Sequence, residues 1–519
     1  MIFQRGWVLL LAMAAIILGS KFWLISVFGS PTPFEDQWDA EAAWLFKPYV
    51  EGRLRIGDLL APHNEHRCLW TRLLDLALLE LNGRWGPIIE MTVNALVHVA
   101  ALAALVAMLG ATLGRANRVV LAATTAFLFA LPFGLSNTLV GGFHSAFYFL
   151  PLFSFACFHF GVDAPAFSAR WWGAIAFGVG AYFAISSGAL TLAPLMLVHG
   201  VQALLRRRTG WREYAAIALC IALVVLMVSA IPTMDYNDPL SAHSLSQFAS
   251  AFFVAMAWPL SALARLQPRA GWDLLPNLAT AVLVNIPVIS FVWNCARRLD
   301  PGDRTAWIYL LVGLWTATQA AALAYGRAVS VLDSRYLDLL AINVVLNVAC
   351  VLSLVHGNAG FPVRCAATTW VAAIVLIVTA LALIRLPREA LDWWHHTQEQ
   401  TINISGFLAT GDRAHLTDKP FRAIPYGSAE RLGQLASDLS IRSILPEDIM
   451  PTAEAHTRNS KLLLGGPLHG LFHALRSSLT LLGLFCLTAG LLIFVYAGYV
   501  LHFRQIQRAA ASLTDIRLR

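Results

Sequence analysis

The run Phe34-Glu35-Asp36-Gln37-Trp38-Asp39 puts three carboxylates within five residues, directly after the first long apolar run of a chain with 13% charged residues. A carboxylate at a membrane exit is costly to hold and is used mainly for chemistry or ion handling. At a partly dehydrated interface it can take a proton from a hydroxyl as general base or ligate a divalent cation. Asp36 and Asp39 are three apart and share one face if the segment forms an interfacial helix. The alternative is a helix N-terminus whose acids are favoured by the dipole. The local sequence leaves both open.

His63-Asn64-Glu65-His66-Arg67 follows Ala61-Pro62. A helix starting after Pro62 would put His63 and Arg67 on one face. His63, His66 and Arg67 could then bind a phosphate, with Glu65 or Asn64 orienting them. The His-Glu-x-x-His spacing of zinc proteases is absent. A surface turn is the alternative. A third polar loop reads Tyr325-Gly326-Arg327 and then Asp333-Ser334-Arg335-Tyr336. Arginines on a non-cytoplasmic face run against the positive-inside preference, so Arg327 and Arg335 need another reason to be there. A guanidinium fork suits a lipid-borne phosphate or pyrophosphate, and an internal pair with Asp333 or Asp338 is the alternative. Asn137, His144, the Gly141-Gly142 turn and Ser187-Gly188 could line a cavity, with packing, turns or buried hydrogen bonds as the first reading of each. His159, His199 and His395-His396 show no partners in sequence and are assigned nothing.

The elements that must position these groups are helices in a bilayer. The 519-residue chain is 58% hydrophobic with a mean hydropathy of +0.64, unlike a soluble domain. Apolar runs of membrane-spanning length recur along it. The net charge of +7 sits in short basic clusters between apolar runs, which reflects orientation rather than nucleic-acid binding. Cys68, Cys157, Cys220, Cys295, Cys350, Cys365 and Cys486 lie mostly in apolar runs and imply no disulfide framework.

The expected fold class is an all-α polytopic membrane protein with about twelve spans. They are placed near 7–28, 88–112, 119–139, 143–162, 171–188, 189–205, 213–232, 277–296, 306–326, 336–356, 367–385 and 478–502. The first lacks a cleavage site and reads as uncleaved. Arg5, Arg115/Arg118, Arg206-Arg207-Arg208/Arg212, Arg297/Arg298/Arg304 and the tail Arg504/Arg508/Arg517/Arg519 then fall on the cytoplasmic side, with both termini. That parity requires two short spans turning near Ser186-Ser187-Gly188, and a re-entrant or interfacial segment at 247–264, interrupted by Pro259. Three regions face the other side: loop 30–87, the loop near 326–336, and the polar stretch 386–476, whose Trp393-Trp394 start suits an interface. The domain division is a membrane region 1–385, a small extracytoplasmic domain 386–476, and a last helix with a basic tail 477–519. No repeat or low-complexity segment stands out.

A first span followed by an acidic motif in a long outer loop, a Ser-Gly turn between two short spans, and the Gly-Arg…Ser-Arg-Tyr loop resemble membrane glycosyltransferases of the GT-C superfamily. That group includes protein O-mannosyltransferases and bacterial lipid A sugar transferases. The resemblance covers the architecture of most of the chain, and specific motifs in the outer loops alone. It implies a polyprenyl-phosphate-linked sugar donor, an envelope glycan, lipid or protein acceptor, and an inverting transfer at the periplasmic face of a bacterial inner membrane. Asp36 matches the acid after the first span, as base or metal-site residue, with Mg or Mn as the implied cation. Arg327 and Arg335 match the arginines near the donor phosphate, with Tyr336 beside them. The usual Asp-Glu order is reversed here as Glu35-Asp36, with Asp39 competing for the role.

Two rival classes are a transporter of lipid-linked sugars and an envelope-polysaccharide acyltransferase or polymerase. The first predicts ionisable groups deep in several spans and pseudo-symmetric halves, whereas the charges are read here as concentrated in the outer loops. The second predicts a membrane-embedded His with Asn or Asp, for which His144 is the candidate. A non-catalytic assembly protein is the reading if the acids prove unnecessary.

Overall fold

The computed structural model describes residues 6–264, 274–298, 304–355, 360–420, 422–451 and 461–517. Arg5 and Arg519, expected on the cytoplasmic side, lie outside them. Helices account for nearly all regular structure, and no strand forms among the described residues. Ten helices there are long and apolar enough to cross a membrane. The first, α1 (Trp7–Phe28), has 22 residues, about 33 Å against a hydrocarbon core of about 30 Å.

Two of the twelve expected spans are shorter helices. The one expected at 119–139 is α-helical over Arg115–Ala130, 16 residues or about 24 Å. It stops where Pro132 disfavours helical backbone at Leu131. The one expected at 171–188 covers Ala169–Tyr182, 14 residues or about 21 Å. There the chain folds back on itself, and a Cβ at Gly188 would sit 1.9 Å from the Ala181 carbonyl oxygen. Glycine is therefore required for the turn beside Ser186-Ser187.

The interrupted segment at 247–264 is a 12-residue helix, Leu245–Met256, then a turn at Trp258-Pro259 and a short helix Leu260–Leu263. At about 18 Å the longer piece cannot cross alone.

The residues that frame the polar end of the bundle lie on α2 (Pro87–Leu109), α3 (Leu135–Leu139), α4 (Ala146–Gly161), α5 (Arg304–Gly326) and α6 (Ser334–Leu354). The long helix α7 (Phe361–Thr410, 50 residues) runs unbroken through residue 385 and ends at Gly411, whose φ of 71° provides a left-handed cap. The last helix, α8, covers His469–Arg517. It lies directly on α1, where a Cβ at Gly19 would meet the Leu487 nitrogen at 2.5 Å and one at Gly483 the Trp23 nitrogen at 2.8 Å. Small residues let two backbones approach this closely in lipid, where packing rather than hydrophobicity drives association.

Above this bundle, residues of the first loop and of the 404–462 stretch share one apolar core. Trp38, Phe46, Leu79 and Trp85 pack there with Ile404, Phe407, Leu432 and Ile444. The two segments thus form one layer. Glu35 N–H donates to the Pro425 carbonyl (2.8 Å), and Lys47 Nζ bonds Asp438 (2.5 Å).

Candidate functional site

Asp36 lies eight residues past the end of α1 and starts a ten-residue π-helix, Gln37–Phe46. Runs of i→i+5 bonding are rare and concentrate at functional sites. Trp38 fixes this one, donating its indole N–H to the Pro33 carbonyl (2.9 Å) and packing edge-on against Trp85. Glu35, just before it, holds a left-handed φ of 48°, a strained state for a side-chain-bearing residue that persists where the surroundings enforce it.

Asp36 caps the helix in αR backbone without a capping bond, and both it and Asp39 act electrostatically on His63 and Tyr426. Asp39, the less exposed of the two, takes a hydrogen bond from Tyr426 and pairs with Arg431 at 2.9 Å. It fastens the 386–476 stretch to the first loop. Asp36, with its side chain half exposed, faces a cavity of about 950 Å³.

That cavity collects Asp36, Glu65, His66, Arg327, Arg335 and Tyr336, six of the ten residues singled out from the sequence. Glu35, Asp39, His63 and Arg67 are not among its lining residues. His63 to Arg67 does not form the helix considered for it. His63 and His66 exchange two backbone hydrogen bonds (2.7 and 2.9 Å) around Asn64, which takes a left-handed φ of 52°. A tight turn points successive side chains different ways. Arg67 is drawn off to Tyr182 Oη (3.1 Å) and the Leu60 carbonyl (2.8 Å).

His63 is buried behind the wall, its Nε2 3.9 Å from Asp36 Oδ1 and its ring between Trp44 and Phe143. Burial is the main influence on this imidazole and holds its pKa below the ordinary value, against the pull of Asp36. His66 Nδ1 lies 3.0 Å from Ser186 Oγ and accepts from the Ser186 N–H. That contact leaves the proton of the neutral ring on Nε2, toward Glu65 at 3.6 Å. Burial drives the His66 pKa down to about 4. Burial also works against ionised Glu65, but His66 and Arg327 outweigh it and hold the carboxyl below its usual range.

The two arginines differ. Arg327 donates to Glu65, bridging the first loop to the α5–α6 loop. Arg335 keeps an exposed guanidinium, 3.7 Å from Asp333 and over the Tyr336 ring. Asp338 is not its ion partner; that carboxylate pairs with Lys21 at 3.9 Å.

His144, a weaker cavity candidate in the sequence, does line the cavity and bonds Asn137 at 2.9 Å. Several groups went unread in the sequence. Gly141-Gly142 is hemmed in by acids. A Cβ at Gly142 would lie 2.6 Å from Asp75 and 2.7 Å from Glu41, and one at Gly141 2.4 Å from Glu90. Glu41 accepts from the Phe143 N–H (2.8 Å) and the Trp85 indole (3.0 Å), and Glu90 from the Gly142 N–H (2.9 Å). Burial, and then repulsion between neighbouring carboxyls, push Glu41 and Asp75 well above their ordinary values.

Nor are charges confined to the loops. Lys21 on α1, His98 on α2 and Asp338 on α6 are all buried inside spans. A lone acid or base in an apolar run carries no sequence signal of its partner, which is why these groups escaped.

Among the described residues no set of three or more His, Cys, Asp or Glu side chains is arranged to hold a metal.

These helices define a polytopic α-helical membrane protein. No protein-family model, curated protein or solved structure matches the chain.

Proposed function

We propose that this protein is a membrane glycosyltransferase that moves a sugar from a polyprenyl-phosphate donor to a hydroxyl of an envelope glycan, lipid or protein, with inversion. It would work at the periplasmic face of a bacterial inner membrane, with both termini in the cytoplasm. The observation that carries the reading is the shared cavity. A carboxylate (Asp36), a cationic fork (Arg335) and an apolar wall of Phe147, Leu150, Leu190, Val228, Ile231 and Leu339 meet in about 950 Å³. That volume is at the upper end for ligand pockets, roughly 300–1,000 Å³. It suits a sugar phosphate and the first isoprene units of a lipid whose remainder lies in the bilayer.

In this mechanism Asp36 takes the proton of the acceptor hydroxyl as its oxygen attacks the anomeric carbon. The bond from that carbon to the phosphate oxygen breaks, and polyprenyl phosphate leaves with the electron pair. Arg335 stabilises the developing phosphate charge, with Arg327, held by Glu65, on the same wall. His66 and Tyr336 offer polar contacts to the sugar. Lipid phosphate is a competent leaving group, and each of these steps uses side chains of the chain itself.

A second reading, transport of a lipid-linked sugar, is favoured by one observation: ionisable Lys21, His98 and Asp338 sit inside spans. Incubating the purified protein with polyprenyl-phosphate sugars and acceptor separates the two. Release of polyprenyl phosphate supports transfer, and movement of intact donor across a vesicle membrane without release supports transport.

A further inference from the structure

Beneath the cavity, five elements converge on one buried charge network. Lys21 Nζ, on α1, donates to Thr138 Oγ1 (2.8 Å) and to Tyr148 Oη (3.4 Å). Tyr148, on α4, donates to Asp338 Oδ2 (3.1 Å). His98, on α2, stacks on Tyr148 with ring centroids 4.1 Å apart and brings Nδ1 to 3.7 Å from Asp338. Gly134 admits the carboxylate to the backbone, since a Cβ there would lie 2.3 Å from it.

The network lies between the two arms of the site. α1 leads into Asp36, eight residues beyond its end. Asp338 is one turn along α6 from Arg335, and the same turn is held from the other side by Asn137, whose Nδ2 donates to the Arg335 carbonyl (2.6 Å). A small void beside the network is lined by His98, Asn137, Tyr148, Arg335 and Asp338. Arg335, Phe147 and Leu339 line both it and the main cavity.

We propose that the Lys21–Asp338 pair, with Tyr148 and Thr138, is an intramembrane clamp that sets the position of Arg335 relative to Asp36. Lys21 and Asp338 are positioning residues, since neither lines the main cavity. A buried ion pair contributes little net stability against apolar replacements, while an unpaired buried charge is strongly destabilising. Loss of one partner and loss of both should therefore differ.

The test uses the full chain in lipid nanodiscs with Lys21→Met, Asp338→Asn and the double variant. It reads thermal stability, amide exchange over residues 334–340, and kcat and KM for a polyprenyl-phosphate sugar. The single variants should melt lower than wild type. The double variant should regain most of that stability, yet exchange about tenfold faster over 334–340 and show a donor KM about tenfold higher with kcat within about threefold. A purely stabilising pair would return exchange and KM to wild-type values along with melting, and that result overturns the proposal. So does a double variant that cannot fold, because the pair would then be a requirement of the fold. The KM measurement rests on the glycosyltransferase reading, whereas the exchange measurement does not. Faster exchange in a protein that consumes no donor would sink that reading and leave the clamp standing.

Discussion

His63 Nε2 lies 3.9 Å from Asp36 Oδ1, at a ring that is 3% exposed and whose two nitrogens have no hydrogen-bond partner among the described residues. Held neutral by burial, His63 can offer Asp36 an N–H but is a poor proton acceptor. In the proposed mechanism Asp36 is the base and His63 its support. His63→Phe keeps the packing against Trp44 and Phe143 and removes the donor. It should lower kcat by about tenfold, a modest share of general acid–base catalysis, with little change in melting.

Asp39 should behave differently from Asp36. Its partners Arg431 and Tyr426 come from the 386–476 stretch. Asp39→Asn should cost roughly 1 kcal/mol of stability, as partly exposed pairs do, and leave turnover within about threefold. Melting curves and donor consumption, measured on the same preparation, check both halves. A turnover loss matching that of Asp36→Asn would exchange the roles of the two acids.

The two arginines predict separable losses. Arg335→Met should reduce kcat/KM for the donor by about a hundredfold, the scale of one charge-assisted contact of about 3 kcal/mol, with melting preserved. Arg327→Met strips Glu65 of its cationic partner. It should lower melting as well as turnover, and adding Glu65→Gln should recover the melting alone.

Acid should loosen the first loop. His66 has its pKa lowered to about 4 in the fold, against about 6.5 in the unfolded chain. The folded state therefore binds this proton less readily. Stability contributed by this site is full above pH 6.5 and is lost as pH falls from there toward 4, up to about 3 kcal/mol. Glu65, also held low, loses stability in the same direction at lower pH. The groups facing His66 are Glu65, Arg327, Arg335 and His63. Melting followed from pH 7 to pH 4 should fall more steeply in wild type than in His66→Gln.

Asp36, Glu65, His66, Arg327, Arg335 and Tyr336 were legible because polar clusters at membrane exits stand out against an apolar chain. Topology alone brought their loops to one face. For His63 to Arg67 the turn left open as the alternative to a helix is the one that forms, since Asn64, two residues after Pro62, takes a left-handed φ of 52°. The acids at Gly141-Gly142 were not legible, as Glu41, Asp75 and Glu90 come from three separate elements. Lys21 and Asp338 are 317 positions apart, and nothing local marks them as partners. The spans expected at 119–139 and 171–188 were overlong because a hydropathy window averages across Pro132 and the Gly188 fold-back.

The central claim is that Asp36 takes a proton while a sugar leaves lipid phosphate. Purified protein in nanodiscs, given polyprenyl-phosphate sugars and a hydroxyl acceptor, should release polyprenyl phosphate. Asp36→Asn should cut that release by about a thousandfold, within the range for removing a general base, while melting stays at the wild-type temperature. Release undiminished by Asp36→Asn would contradict the account.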